Sequence, residues 1–411
     1  MVHPHLSRRA LVAGGAALLA KPALSQGQAD VVRIGHLTPR TGFLGPLGEY
    51  AVQGVQLAAD EVNAAGGIGG RRLELLLEDS VNPQTASAKA ERFIQRDRVS
   101  CIVGEINSAS ALAIGQVVQR EKALFINTGA NSDALRGSDC RRFMFHIEGA
   151  NSMYVKSVGR ALLAEGKIAG KRYYALTADY AFGHDLLKVA KNFLGANNAR
   201  AAAEDLIPTE LADFSPFLLK LRQARPDVVI LNLAGAQITN FLKQYTEYGL
   251  SFPVAGFGFD TALAWGAGQG NFLGTWPTVW HHLVDTPSTK AFVAAFQRKF
   301  NRPPENQAWG DYCALKIIAQ SMNEAKSTEG LRIVEHLEKG AKFDVLKPRE
   351  GYFRARDHQI MMEMYAISAL PADKVRNRWD IFSSSAAVPG PGEDLEVIAP
   401  SAEEAACTFP A

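Results

Sequence analysis

A chain of 411 residues is long enough for two or three domains. Its 47% hydrophobic and 21% charged residues are the composition of an ordinary globular protein. Forty-four basic residues against forty-two acidic ones leave a formal charge of +2, which gives no reason to expect a nucleic-acid or anionic-membrane surface.

Residues 1–29 read as an export signal, not as part of the fold. They combine a basic start, an apolar run from Ala10 to Ala20, and small residues at two arguable cleavage points, Ser25 and Ala29. Arg8–Arg9 within "SRRALV", with Lys21 after the apolar run, favours a twin-arginine signal over an ordinary secretory one. Either signal is cleaved on export, which in this reading places the protein in the periplasm. No later stretch approaches the roughly eighteen apolar residues of a membrane span.

After the signal, strands and helices alternate. "VVRIGHL" (31–37) is a β-branched run, and "GEYAVQGVQLAADEVNAA" sets Val52, Val55, Ala59 and Val62 on one helical face. "RRLELLLED" is extended, "PQTASAKAERFIQRD" helical, "VSCIVGE" a strand, "ASALAIGQVVQREK" a helix and "ALFINTG" a strand. Such an order requires crossover connections and parallel sheets covered by helices on both faces, the α/β doubly wound class. The rhythm restarts at "KRYYALTADY" and runs to "FPVAGFG" (252–258), so two such units follow one another. Residues 288–326 are mainly helical, "GYFRARDHQIMMEMYAISAL" is expected to form a β-hairpin, and the stretch beyond Phe382 reads as an extended surface tail.

The glycines Gly66 to Gly70 invite a phosphate-loop reading, but phosphate loops follow a strand and open a helix. Here the helix comes first, so Gly66 is a left-handed helix stop and the rest turns the chain into a strand. No G-x-S-x-G elbow, H-E-x-x-H motif or Cys-x-x-Cys spacing occurs, and neither an enzyme, a metal nor a cofactor is expected. Cys101, Cys140, Cys313 and Cys407 allow three disulfide pairings in an oxidising compartment. Cys101–Cys140 with Cys313–Cys407 is the expectation, and buried free thiols are the alternative.

In an open α/β sheet the ligand lies beyond the carboxyl ends of the strands. The loops there hold Phe43 and Leu47 after the first strand, Asn107 and Ser108 after the third, and Gly129, Ala130 and Asn131 after the fourth. In the second unit they hold Tyr180 and Phe182, then Ala234 and Gln237, then Asp260. "SAS" and "ANS" each open a helix, whose free N–H groups suit a carboxylate; Ser108, Ser110, Asn131 and Ser132 as plain helix caps is the competing reading.

"VRIGHLTPRTGFLGPLGEYAVQGVQLAADEVNAAGGIGGRRLELLLEDSVNPQTASAKAERFI", with "IVGEINSAS", "FINTGANSDAL", "TADYAFGHD", "DVVILNL" and "DHQIMMEMY", resembles the leucine/isoleucine/valine-binding-protein family. These are type I periplasmic solute-binding proteins of ABC importers, and the likeness runs over about residues 31–383. It implies two Rossmann-like lobes with parallel sheets joined by a three-strand hinge. The expected division is 30–149 plus 281–349 in the first lobe, 150–280 plus 350–383 in the second, and 384–411 as tail. By resemblance, Ser108 and Asn131 hold a ligand carboxylate, the Gly129 carbonyl accepts from an ammonium, and Phe182 with Tyr180 covers the ligand. The family's acidic ammonium partner aligns with Gly258, with Asp260 two residues on, and covering aromatics are replaced by Leu47 and Ala234. A branched-chain or other amino acid, an amide, or an aromatic or aliphatic acid therefore all stay open. The implied partners are this solute and a membrane permease, with the receptor a monomer. A periplasmic sensor of the same fold that feeds a signalling partner is the alternative.

Overall fold

In the computed structural model, which describes residues 31–410, β1 (Val32–Thr38) is the expected apolar strand. The export-signal reading of residues 1–29 lies outside the described residues. α1 (Gly45–Ala64) turns Val52, Val55, Ala59 and Val62 inward, as their spacing requires. The glycines then stop it: φ is +101 at Gly66 and +78 at Gly67, and the Gly67 N–H donates to the Val62 carbonyl at 2.9 Å. Asn63 ties the helix end to β2 (Leu73–Asp79) with two bonds to the Leu73 backbone.

α2 (Pro83–Gln95), β3 (Cys101–Gly104), α3 (Ser108–Glu121), β4 (Leu124–Asn127) and β5 (Met144–His146) complete a parallel sheet of order β2-β1-β3-β4-β5. The second unit runs α4 (Asn151–Ala164), β6 (Arg172–Ala178), α5 (Ala181–Ala196), β7 (Arg200–Ile207), α6 (Ser215–Ala224) and β8 (Val228–Asn232). α7 (Ala236–Glu247), β9 (Val254–Gly256), α8 (Thr261–Ala267) and β10 (Thr275–Thr278) follow. α9 (Pro287–Phe300), α10 (Asn306–Glu324) and α11 (Gly330–Leu337) return to the first core. Gly54 of α1 makes that return close, because a Cβ there would stand 2.1 Å from the Ala308 carbonyl oxygen of α10.

The expected hairpin is one part of two structures. β11 (Lys342–Phe343), β12 (Gly351–Phe353) and β13 (Ile360–Met361) form a small antiparallel sheet. β14 (Tyr365–Ala369) and β15 (Phe382–Ser384) instead add antiparallel strands to the second sheet, whose order is β15-β14-β10-β9-β8-β6-β7.

Each sheet has its own core, and the chain passes between the cores in the first turn of α4, at the end of β10, and between Tyr365 and Ala366. These are the three hinge passages of a type I periplasmic-binding-protein fold. The third comes later than the expected boundary at 350. Phe353, Ile360, Met362 and Met364 are apolar side chains of the first core, so the chain cannot leave it before them.

The tail also departs from expectation. Val388 pairs with Met364, and Ile398 and Ala399 are buried. Cys407 is bonded to Cys140, which corrects the expected pairing. Cys101 in β3 and Cys313 in α10 face the first core as buried free thiols. Along its course the tail meets α4, through Glu393 with Arg160 and Glu404 with Lys156, and so links both lobes. Replacing both Cys140 and Cys407 by serine is expected to cost about 2–3 kcal/mol, read as a lower melting temperature. An unchanged melting temperature in the double variant would show that the tail's noncovalent contacts suffice.

Candidate functional site

The carboxyl ends of β1, β3, β4 and β5 face those of β6, β8 and β9, as the strand-end rule requires. Between them lies a cavity of about 30 Å³. At roughly 10–15 Å³ for each water that is room for about two, so the lobes are closed on each other. Gly235 of the second lobe abuts the first: its φ is +51, and a Cβ there would stand 2.2 Å from the Phe43 carbonyl oxygen. The Asp133 N–H donates to Asp185 Oδ2 at 2.7 Å across the same divide.

Of the residues expected at the site, Leu47, Gly129, Asn131, Tyr180, Phe182, Ala234 and Asp260 line this cavity. The other five do not, and each has a structural occupation. Asn107 caps α3, its Oδ1 accepting from the N–H groups of Ala109 and Ser110. Ser108 is fully buried and its Oγ accepts from the Ser132 N–H at 3.4 Å. The Ala130 carbonyl accepts from Asn127 and Arg136, the Gln237 side chain bonds to Pro208 and Ala234, and Phe43 packs edge-on against Tyr180. Ser132 caps the turn after it, so two of the four candidate caps resolve differently: Ser132 caps, while Asn107 does the work expected of Ser108.

Two polar wall residues were not expected, Glu148 and Tyr154. Glu148 follows β5, and Tyr154 lies in the first turn of α4; the Tyr154 hydroxyl donates to Glu148 Oε1 at 2.7 Å. Asp260 precedes α8 without capping it, and its Oδ1 instead accepts from Gln307 Nε2 at 2.8 Å. Asp179, in the loop after β6, is bonded to His184 at the surface, 2.8 Å away.

The electrostatics are those of an acidic, dry site. Burial lifts Glu148 to about 7, with repulsion from Asp260 adding and the Tyr154 hydroxyl, the Gly149 N–H and Arg136 opposing. Burial also lifts Asp260 above the carboxylate range against the Gln307 bond. Glu305, behind Gln307, is raised by burial and by the Asp260 charge. Gln307 Oε1, Glu305 Oε2, Glu105 Oε2 and Asn151 Oδ1 are buried without a hydrogen-bond partner. No Lys, Arg or His stands among the cavity-lining residues. Acid, amide and carbonyl acceptors beside Tyr180 and Phe182 are chemistry for a small cation with an apolar body.

The residues that a carboxylate would need are less available than expected. Glu105 Oε1 takes the N–H groups of Ile106 and Asn107, and the Asn107 side chain takes those of Ala109 and Ser110; the Ser108 N–H is not among the donors taken. Among the described residues no group of three His, Cys, Asp or Glu side chains is placed to hold a metal ion.

A family model described as "Periplasmic binding protein" matches residues 31–373. A Leu/Ile/Val-binding protein homolog of Brucella suis is 28% identical over 351 residues, covering 80% of this chain and 85% of its own. A periplasmic binding protein of Burkholderia mallei superposes with a TM-score of 0.84 at 24% identity, covering 93% of this chain and 99% of its own. A branched chain amino acid ABC transporter periplasmic ligand-binding protein of Burkholderia xenovorans gives 0.78 at 25% identity, covering 92% and 99%. The chain belongs to the periplasmic binding protein family, alongside its Leu/Ile/Val-binding relatives, and is a solute binder, not an enzyme.

Proposed function

We propose that this protein captures a small solute bearing a protonated amine, an amino acid or an amino-acid amide, between its lobes and delivers it to the permease of an ABC importer. In this reading residues 1–29 direct export to the periplasm and are removed there. The lobes open and close about the three passages, and contacts from both lobes favour the closed form that docks on the permease.

The observation that carries the reading is the charge of the cavity wall: Glu148 and Asp260, with no basic side chain among the lining residues. Arg136 only partly offsets the burial of Glu148, and no cation offsets that of Asp260, so the two carboxylates repel each other and an ammonium between them relieves both the repulsion and the desolvation. An aromatic or aliphatic acid lacking an amine would bring a third negative charge, and so draws no support. A carboxylate at Ser108 draws less than the sequence led one to expect, since Asn107 takes the Ala109 and Ser110 donors of α3 and leaves the Ser108 N–H.

A matched pair of probes tests this. L-Leucine amide is expected to raise the melting temperature of the mature protein at pH 8, and 4-methylpentanoate is not. The affinity is also expected to depend on pH. An ammonium holds Glu148 and Asp260 ionised, so their pKa values fall on binding from raised free-state values. Binding is therefore strongest between the free-state value of about 7 for Glu148 and the α-amino value of about 8 for the probe, and is lost as pH falls through the former. The loss approaches about tenfold per pH unit for each carboxylate that must ionise. Calorimetry from pH 8 to pH 5 measures it, and a flat profile would contradict the acidic pair as ligand contacts.

A further inference from the structure

We infer that the solute is longer than one amino acid: an α-ammonium head joined through an amide to a bulky apolar group, the whole of dipeptide size. The inference rests on the amine reading above and extends it to a second chamber. A chamber of about 330 Å³ adjoins the inner cavity between the lobes, and Leu47 of α1 and Leu263 of α8 line both. The outer chamber falls in the size range of small-molecule sites.

The walls of the chamber divide by chemistry. Trp265 and Trp379 meet edge to face at 5.1 Å, with the Trp265 Nε1–H donating to the Trp379 carbonyl, and Tyr50 lies 6.3 Å from Trp265. This is a fixed aromatic surface for a flat or branched apolar group. Across from it, Thr239 and Asn240 of α7 present side chains that hydrogen-bond to no other described residue. They are the donors and acceptors that an amide link leaving the inner cavity requires. Arg302 lies 3.7 Å over the Tyr50 ring and bonds to Glu49 and Gln53. It supplies a cation at the chamber wall, paired there with Glu49, which lines the chamber too.

The amide link also accounts for the head group's carboxyl carbon. With the Ala109 and Ser110 N–H groups engaged, a free carboxylate beside the ammonium keeps few of the α3 donors, and an amide at that position needs fewer. Two sources share this chemistry, a dipeptide, which carries a distal carboxylate toward Arg302, and an N-aryl amide, which does not.

Calorimetry of the mature protein with L-leucyl-L-phenylalanine, L-leucine anilide, L-leucine amide and L-leucine tests the inference. Both long probes are expected to bind at least about tenfold more tightly than L-leucine amide, from burial of the distal ring. A further preference for the dipeptide over the anilide assigns the Arg302 contact, and equal affinities assign the site to the amide and ring alone. Trp265→Ala and Asn240→Ala are each expected to reduce affinity for the long probes about tenfold and to leave L-leucine amide within about twofold. The comparison of long and short probes within one variant is its own control for folding. If L-leucine amide binds as tightly as the long probes, and neither variant separates them, the second chamber has no part in binding. If no amine-bearing probe of either length binds the unaltered protein, the amine reading fails and this inference with it.

Discussion

Asp260→Asn is expected to weaken binding of L-leucine amide by about 10²- to 10³-fold, a loss of about 3–4 kcal/mol. Asp260 is buried between the lobes and accepts from Gln307. The asparagine keeps that bond through its own oxygen and turns its amide hydrogens toward the cavity, where they repel an ammonium. Glu148→Gln is expected to act alike: the Tyr154 and Gly149 donors keep the side-chain oxygen occupied and leave an NH₂ group facing inward. The two losses should not add, since both carboxylates serve one charge. Stability separates this role from a structural one. Each carboxylate is strained by burial, so neutralising it should leave the melting temperature of the ligand-free protein unchanged or higher. A lower melting temperature with unchanged affinity would make these residues structural.

Arg136→Lys is expected to cost about 3 kcal/mol or more, and Arg136→Ala about 3–5 kcal/mol, in chemical denaturation. Arg136 is fully buried, and its guanidinium is committed in every direction. Nε donates to Gln359 Oε1 at 2.7 Å, Nη1 to the carbonyls of Ala130 and Ser132, and Nη2 to the Glu148 carbonyl at 2.7 Å. Burial pulls it down only to about 10, because Asp133, Glu148 and Asp357 surround it. It therefore remains charged; in its absence Gln359 Oε1 would lose its donor, and the carbonyls of Ala130, Ser132 and Glu148 would each lose one of two. The same bonds fix the loops that carry Asn131 and Glu148 to the cavity. Loss of affinity should accompany loss of stability, which distinguishes Arg136 from Asp260. A lysine variant as stable as the parent would show that the charge alone is needed and the fork is not.

The lobes and the loops that meet between them were legible because long periodic segments announce themselves. Val52, Val55, Ala59 and Val62 repeat over a helix of twenty residues, and "DVVILNL" is a continuous buried run. Once the strands were known, the strand-end rule found Asn131, Tyr180, Phe182 and Asp260. Glu148 was missed by the same logic, because β5 has only three residues and gives no periodic signal. Without that strand its carboxyl end, and Tyr154 beyond it, went unread. Ser108 reads as a ligand contact because helix starts offer free N–H groups. Asn107 precedes it and, with its longer side chain, satisfies two of them first. The tail was illegible for another reason. Its path depends on partners far away in sequence, Met364, Lys156 and Cys140, and no local pattern encodes them.

A positive charge on the solute answers Glu148 and Asp260 in this proposal. Mass spectrometry of the solute released by denaturing the protein purified from its native periplasm tests this most directly, with an amine-reactive label applied before analysis. The account predicts a released solute that takes up the label, with a mass above that of a single amino acid. A released carboxylic acid that takes up no label would contradict it.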